Sequence, residues 1–162
     1  MKSEPRFIVD AMFGSLARWL RLLGYDTVYC DIQSDDEILE EVGDRILLTR
    51  DKELIKRARK RGMTILNPGS GSIRSMLKEL HDRLGVRFTA NPDESRCPSC
   101  NASLLRKHRE EVQAQVPKGS LRNHDEFWQC TNPRCHQVYW QGRHWTRISN
   151  TLKQLDSGES KE

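Results

Sequence analysis

Across residues 6–85, four short apolar runs alternate with stretches of helical period, and few folds satisfy that alternation. The runs are RFIVD (6–10), TVYC (27–30), RILLT (45–49) and MTILN (63–67). Each has the length of a strand and carries β-branched or aromatic side chains. In MFGSLARWLRLLG, after the first run, Met12, Phe13, Leu16, Leu20 and Leu23 recur at helical spacing, and Gly24 supplies a C-terminal cap. DDEILEEVG, KELIKRARKRG and SIRSMLKELHDRLG (72–85) predict three further helices. The first of them opens in acids and the second closes in cations, as the helix dipole favours. Strands joined through helices run parallel, with the helices covering the sheet faces. The expected fold class is α/β.

The alternation stops at VRFTANPDESR (86–96), which reads as a linker into a second module. The expected organisation is a sheet domain over residues 1–90, a cysteine-bearing module over 91–150 and a flexible polar tail over 151–162. Mean hydropathy is −0.76, 31% of residues are charged, and no apolar run approaches a membrane span of about 18 residues. MKSEPRFIVD has no apolar stretch before its first acid, so it is not a signal peptide. The chain reads as cytoplasmic, without membrane association.

Cysteine usage follows from that compartment, where thiols stay reduced. Cys30, within a strand, reads as a small buried hydrophobe. Cys97 and Cys100 form a C-x2-C pair, and Cys130 and Cys135 a C-x4-C pair. Two such pairs predict a tetrahedral four-thiolate zinc site. Pro98 and Asn132-Pro133 put each pair on a turn. His124 and His136 are alternative ligands, although four thiolates already complete the shell. The metal would organise a small antiparallel ribbon with FWQC (127–130) and QVYWQGRHW (137–145) as strands. The ribbon aromatics either cover it and dock it on the sheet domain, or stack on bases beside Arg143, His144 and Arg147.

In an open parallel sheet, ligands bind beyond the carboxyl ends of the strands. The first predicted strand ends in Asp10, the second is followed by Asp31, the next helix opens with Asp35 and Asp36, and the third strand is followed by Asp51. Gathering carboxylates at one edge is costly unless a cation joins them. Hard divalent ions such as Mg²⁺ or Mn²⁺ take oxygen ligands and activate water toward a phosphodiester. The competing reading is that Asp10 and Asp51 merely cap the helices that follow. Arg50 either pairs with a carboxylate or contacts a substrate phosphate. Lys52 and Glu53 open a helix as solvated residues. The net charge is +4, and Arg18, Arg21, KRARKR (56–61) and LLRKHR (104–109) either form solvated faces or draw in a polyanion.

Taken together, FIVDAMFGSLARWLRLLGYDT, SDDEIL, RILLTRDKEL, the two cysteine pairs and YWQGRHW resemble the Mut-seven C-terminal RNase domain family over about residues 6–148. The resemblance implies a PIN-like nuclease fold with an appended zinc ribbon and a metal-dependent RNase acting on single-stranded or structured RNA. It implies Mg²⁺ or Mn²⁺ at Asp10, Asp35 and Asp51, with Asp36 a neighbour able to replace Asp35. Asp31 and Glu53 are the weaker candidates for a fourth acid. Arg50, Arg18, Arg143 and His144 are the candidate substrate contacts. The ubiquitin-like domain that precedes this region in some members is not expected here.

Three other readings compete. A non-catalytic RNA-binding adaptor would use the ribbon and the basic helices, with the acids serving as caps. A phospho-acceptor domain also places acids at strand ends, but this chain has no second acid beside Asp10 and carries a cysteine module. A PIN-type toxin nuclease would share the acids, and the ribbon does not suggest it.

Overall fold

Phe7, Ile8 and Val9 are wholly buried, because the strand they form has another strand on each side and is covered on both faces. Such strands read as unbroken apolar runs. The computed structural model describes residues 3–158. It divides into two units, one running through Arg21 and from Tyr25 to Arg87, the other comprising Leu22–Gly24 and the chain from Phe88 onward. The main division falls between Arg87 and Phe88.

The first unit contains β1 (Phe7–Asp10), a 3₁₀ turn (Ala11–Phe13), α1 (Gly14–Leu22), β2 (Thr27–Cys30), α2 (Asp35–Glu41), β3 (Ile46–Leu48), α3 (Lys52–Lys60), β4 (Ile65–Leu66) and α4 (Ile73–Leu84). The strands form one parallel sheet in the order β2-β1-β3-β4. Thus the expected α/β architecture is present. On one face Ile8, Cys30 and Leu47 pack with Ile38, Leu39 and Val42 of the α2 region and with Leu54 and Ala58 of α3. Each fully buried large aliphatic side chain contributes roughly 1.5–3 kcal/mol.

Local sequence sets the helix limits. Ser34 caps α2 through the amide of Glu37, and the Glu37 carboxylate accepts from the Ser34 amide at 2.6 Å. This closed capping box holds Glu37 below the usual carboxylate range. Ser72 caps α4, which ends at Gly85 in the left-handed region with φ 72°, a conformation glycine adopts without a Cβ penalty.

The second unit is an antiparallel sheet in the order β5-β6-β7, formed by Leu104–His108, Glu126–Cys130 and Val138–Tyr139. Short helices α5 (Arg109–Val112) and α6 (Lys118–Asn123) fill the long stretch between the cysteine pairs, and α7 (Arg143–Asp156) follows. Val112, Val116, Phe127 and Val138 form its small core, with Leu121 and Trp140 packed against it.

Two local expectations are corrected. QVYWQGRHW is not one strand: β7 is two residues long, and Gly142 leads into α7, whose Ile148 and Leu152 are buried. The same helix takes in residues 151–156 of the stretch expected to be a flexible tail, while residues 159–162 of that tail lie outside the described residues. LLRKHR lies mostly in β5. Among the described residues, no helix is long and apolar enough to cross a membrane.

Candidate active edge and metal centre

The strand order places the carboxyl ends of β1 and β3 side by side, and the chain turns in opposite directions from them, toward β2 and toward β4. That is a topological switch point, where open α/β sheets bind ligands. In the register Val9 pairs with Leu48, so the next residues along are Asp10 and Thr49. Thr49 is wholly buried. Its hydroxyl donates to Asp10 Oδ2 at 2.8 Å and accepts from the Asp51 amide at 3.0 Å. Asp10 Oδ1 accepts from the Ala11 amide at 2.6 Å, and Asp51 Oδ1 accepts from the Leu54 amide at 2.9 Å as the N-cap of α3. Both acids therefore are caps, and one buried hydroxyl links them.

Asp35 and Asp36 open α2, and both pair with Arg57 of α3, Asp35 at 3.7 Å. Asp31 and Glu53 are exposed. Asp10, Asp35 and Asp51 are not drawn into a tight cluster. Among the described residues, the one set of three or more potential ligands whose atoms all lie within 4.8 Å of one another is made of cysteines. The charge pattern nonetheless separates the two ends of the sheet. At the amino end, Asp26 pairs with Arg45 at 2.9 Å and with Arg6 at 3.2 Å, and Asp44 pairs with Arg6. At the carboxyl end, Asp10 and Asp51 have no Lys or Arg partner among the described residues. Hydrogen bonds orient their oxygens and leave lone pairs, so as a hard, anionic oxygen donor set they suit Mg²⁺ or Mn²⁺.

Arg50 is exposed and has no carboxylate partner among the described residues; its guanidinium lies 5.5 Å from the centroid of Phe13. Met12 and Ile32, which follow the ends of β1 and β2, are exposed apolar side chains at 46% and 88%. Arg18 is exposed on α1, but Arg21 is buried and donates to the Thr27 carbonyl at 3.0 Å, so its charge does not face a polyanion. Arg143 and His144 are exposed in the first turn of α7, not on a ribbon strand as expected.

In the second unit, Cys97, Cys100, Cys130 and Cys135 converge. Sγ separations are 3.8 Å for Cys97–Cys135 and 3.3 Å for Cys100–Cys130, far beyond a disulfide bond of about 2.05 Å. A tetrahedral ion with metal–sulfur bonds of about 2.3 Å has edges of about 3.8 Å. One pair matches that edge, and the other needs to open by about half an ångström. The group can therefore hold a metal such as zinc. The two turns that present it are alike: Asn101 and His136, each directly after the second cysteine of its pair, have φ of 73° and 50°. His136 is thus a turn residue, and neither it nor His124 belongs to the cluster.

Burial acts against a thiolate at Cys100, but the Ala102 amide and neighbouring donors bring it down to about 7. Burial pushes the Cys130 and Cys135 thiols up. Tyr139 places its hydroxyl 3.1 Å from Cys97 Sγ and 3.3 Å from Ser99 Oγ, so it can orient a metal-bound sulfur. Neither Thr49 nor Tyr139 stands out in the sequence as a site residue. Thr49 carried one signal, a hydroxyl placed between an apolar strand and an acid.

No curated protein and no solved structure gives a significant match to the chain. A family model described as the Mut7-C RNAse domain matches residues 5–152, which takes in the sheet, the acids and all four clustered cysteines. The chain belongs to the Mut7-C RNAse domain family, and its function is of nuclease type with RNA as the implied substrate.

Proposed function

We propose that the protein is a metal-dependent ribonuclease whose chemistry takes place at the carboxyl ends of β1 and β3, while zinc in the four-cysteine site is structural. The observation that carries this reading is the Asp10–Thr49–Asp51 connection at the switch point of the sheet. Two acids with no cation partner among the described residues sit there, at an edge suited to ligands. Asp10 and Asp51 would hold the divalent ion, with Asp35 as third ligand once released from Arg57. When bound, the ion supplies Lewis acidity to the phosphodiester and lowers the pKa of a water.

The remaining roles belong to the chain. Thr49 fixes the Asp10 carboxylate, and the α3 cap fixes Asp51. One carboxylate accepts the proton of the attacking water. Arg50, free of any carboxylate in the described structure, offers a planar fork to a substrate phosphate. Met12 and Ile32 present apolar surface to bases splayed from a single strand. The zinc module holds β5-β6-β7 together around a core too small to be stable by itself, and α7 offers Arg143 and His144 to RNA.

One observation favours a second reading, a non-catalytic RNA-binding adaptor: Asp10 and Asp51 each already serve as a cap. Cleavage of a labelled single-stranded RNA with added Mn²⁺ or Mg²⁺ separates the two. The nuclease reading expects metal-dependent cleavage by wild type and none by an Asp10→Asn, Asp51→Asn double variant that remains folded. RNA binding without cleavage by wild type would favour the adaptor.

A further inference from the structure

Several cations of the sheet unit are committed to acids: Arg6 and Arg45 to Asp26, Arg57 to Asp35 and Asp36, Lys78 to Asp82, Arg83 to Glu79 and Arg87 to Glu4. Lys52, Lys56, Arg59 and Lys60 of α3 are different. All four are exposed, and none forms an ion pair among the described residues. At 3.6 residues per turn their spacing puts them within an arc of roughly 100°, opposite the side that buries Leu54 and Ala58. The stripe begins beside Asp51, the cap of the same helix. From Lys52 to Lys60 it runs about 12 Å, the length of about three stacked nucleotides at roughly 3.4 Å each.

We infer that this face of α3 is the track along which a single RNA strand leaves the carboxylate edge, its successive phosphates meeting Lys52, Lys56, Arg59 and Lys60. The inference rests on the ribonuclease reading for its starting point at Asp51. The occupant follows from the charge and its shape: a row of cations, mostly point-charge lysines, running in one direction from an acidic edge. α3 has no aromatic side chain, so the track positions the backbone and reads no bases. Exposed Glu53 borders the row near its start.

The test measures affinity of the zinc-loaded full chain for a 5′-labelled single-stranded RNA, without added divalent ions, at several salt concentrations. Wild type is compared with a Lys52→Gln, Lys56→Gln, Arg59→Gln, Lys60→Gln variant. A Lys52→Arg, Lys56→Arg, Lys60→Arg variant keeps the charge and controls for folding. Four lost phosphate contacts lower the slope of log affinity against log salt by about 3, at about 0.7 per contact on a single strand. The arginine variant keeps the wild-type slope. An unchanged slope in the glutamine variant overturns the inference. So does a wild type that does not bind RNA, or a glutamine variant that loses binding to phosphatidylserine vesicles but keeps its RNA affinity. Binding is read without cleavage, so a chain that shows the slope change but never cuts RNA keeps the track and loses the ribonuclease reading.

Discussion

The hydroxyl of Thr49, at the end of β3, donates to Asp10 Oδ2, at the end of the adjacent β1, over 2.8 Å. Thr49 Oγ1 also accepts from the Asp51 amide. Neighbouring strands thereby hold the two acids in one frame. Thr49→Val keeps the shape and removes the hydroxyl, leaving the Asp51 amide and one Asp10 oxygen without this partner. The expected cost is about 1–3 kcal/mol, read as a lower midpoint in urea. The expected loss in Mn²⁺ affinity is about 10–100-fold, as for other residues that orient metal ligands. Thr49→Ser should retain most of both.

Asp51 combines a cap with a charge, and two substitutions separate these. Asn caps a helix about as well as Asp, whereas Ala loses about 1 kcal/mol. Asp51→Asn should therefore melt close to wild type yet lose metal-dependent cleavage. Asp51→Ala should lose both activity and stability. Equal activity in wild type and Asp51→Asn would reduce this residue to architecture.

How far the sequence speaks can be judged from these same residues. The strands at Phe7–Asp10 and Thr27–Cys30 were readable because buried parallel strands are short apolar runs between helices. The acids at their ends were readable because charge after an apolar run is conspicuous. Thr49 was not, because its partner is set by the order β2-β1-β3-β4, and strand order is a property of tertiary packing. The four cysteines were legible from spacing alone, but the α5 and α6 insert was not, since Arg109–Val112 and Lys118–Asn123 are too short to show a helical period. In α7, the aromatic run before Gly142 suggested a longer strand, although Trp145, Ile148, Leu152 and Leu155 recur at helical spacing.

The cysteines make a chemical prediction. Because burial pushes the Cys130 and Cys135 thiols up, zinc must displace their protons, so uptake at neutral pH should release at least two protons per ion in a weakly buffered solution. In the zinc-loaded protein all four should resist alkylation. After chelation they should react, while Cys30 stays protected: it is 1% exposed and burial pushes its thiol up to about 11. Chelation should also abolish the environment of buried Trp128, read by fluorescence, as the β5-β6-β7 sheet loses its ligation.

Asp93 gives the second unit a dependence on acid. Its carboxylate accepts from Arg106 Nη2 at 2.6 Å, Arg106 Nε at 3.0 Å and Trp128 Nε1 at 2.9 Å. The Arg106 hydrogen bonds, followed by that from Trp128, hold it below the usual carboxylate range. A depressed carboxylate stabilises the fold above its unfolded pKa, and that stabilisation is lost as pH falls through the folded value. Wild type should thus melt above Asp93→Asn at neutral pH, with the difference closing as the pH drops below about 4. A gap that widens in acid would contradict the assignment.

The most direct test of the account is Mn²⁺ binding by electron paramagnetic resonance to zinc-loaded wild type and to the Asp10→Asn, Asp51→Asn double variant. The account predicts a saturable Mn²⁺ site in wild type, outside the four cysteines, whose affinity falls at least about tenfold in the folded variant. Equal Mn²⁺ binding by both proteins would place the metal elsewhere and contradict the claim that the acids ending β1 and β3 hold it.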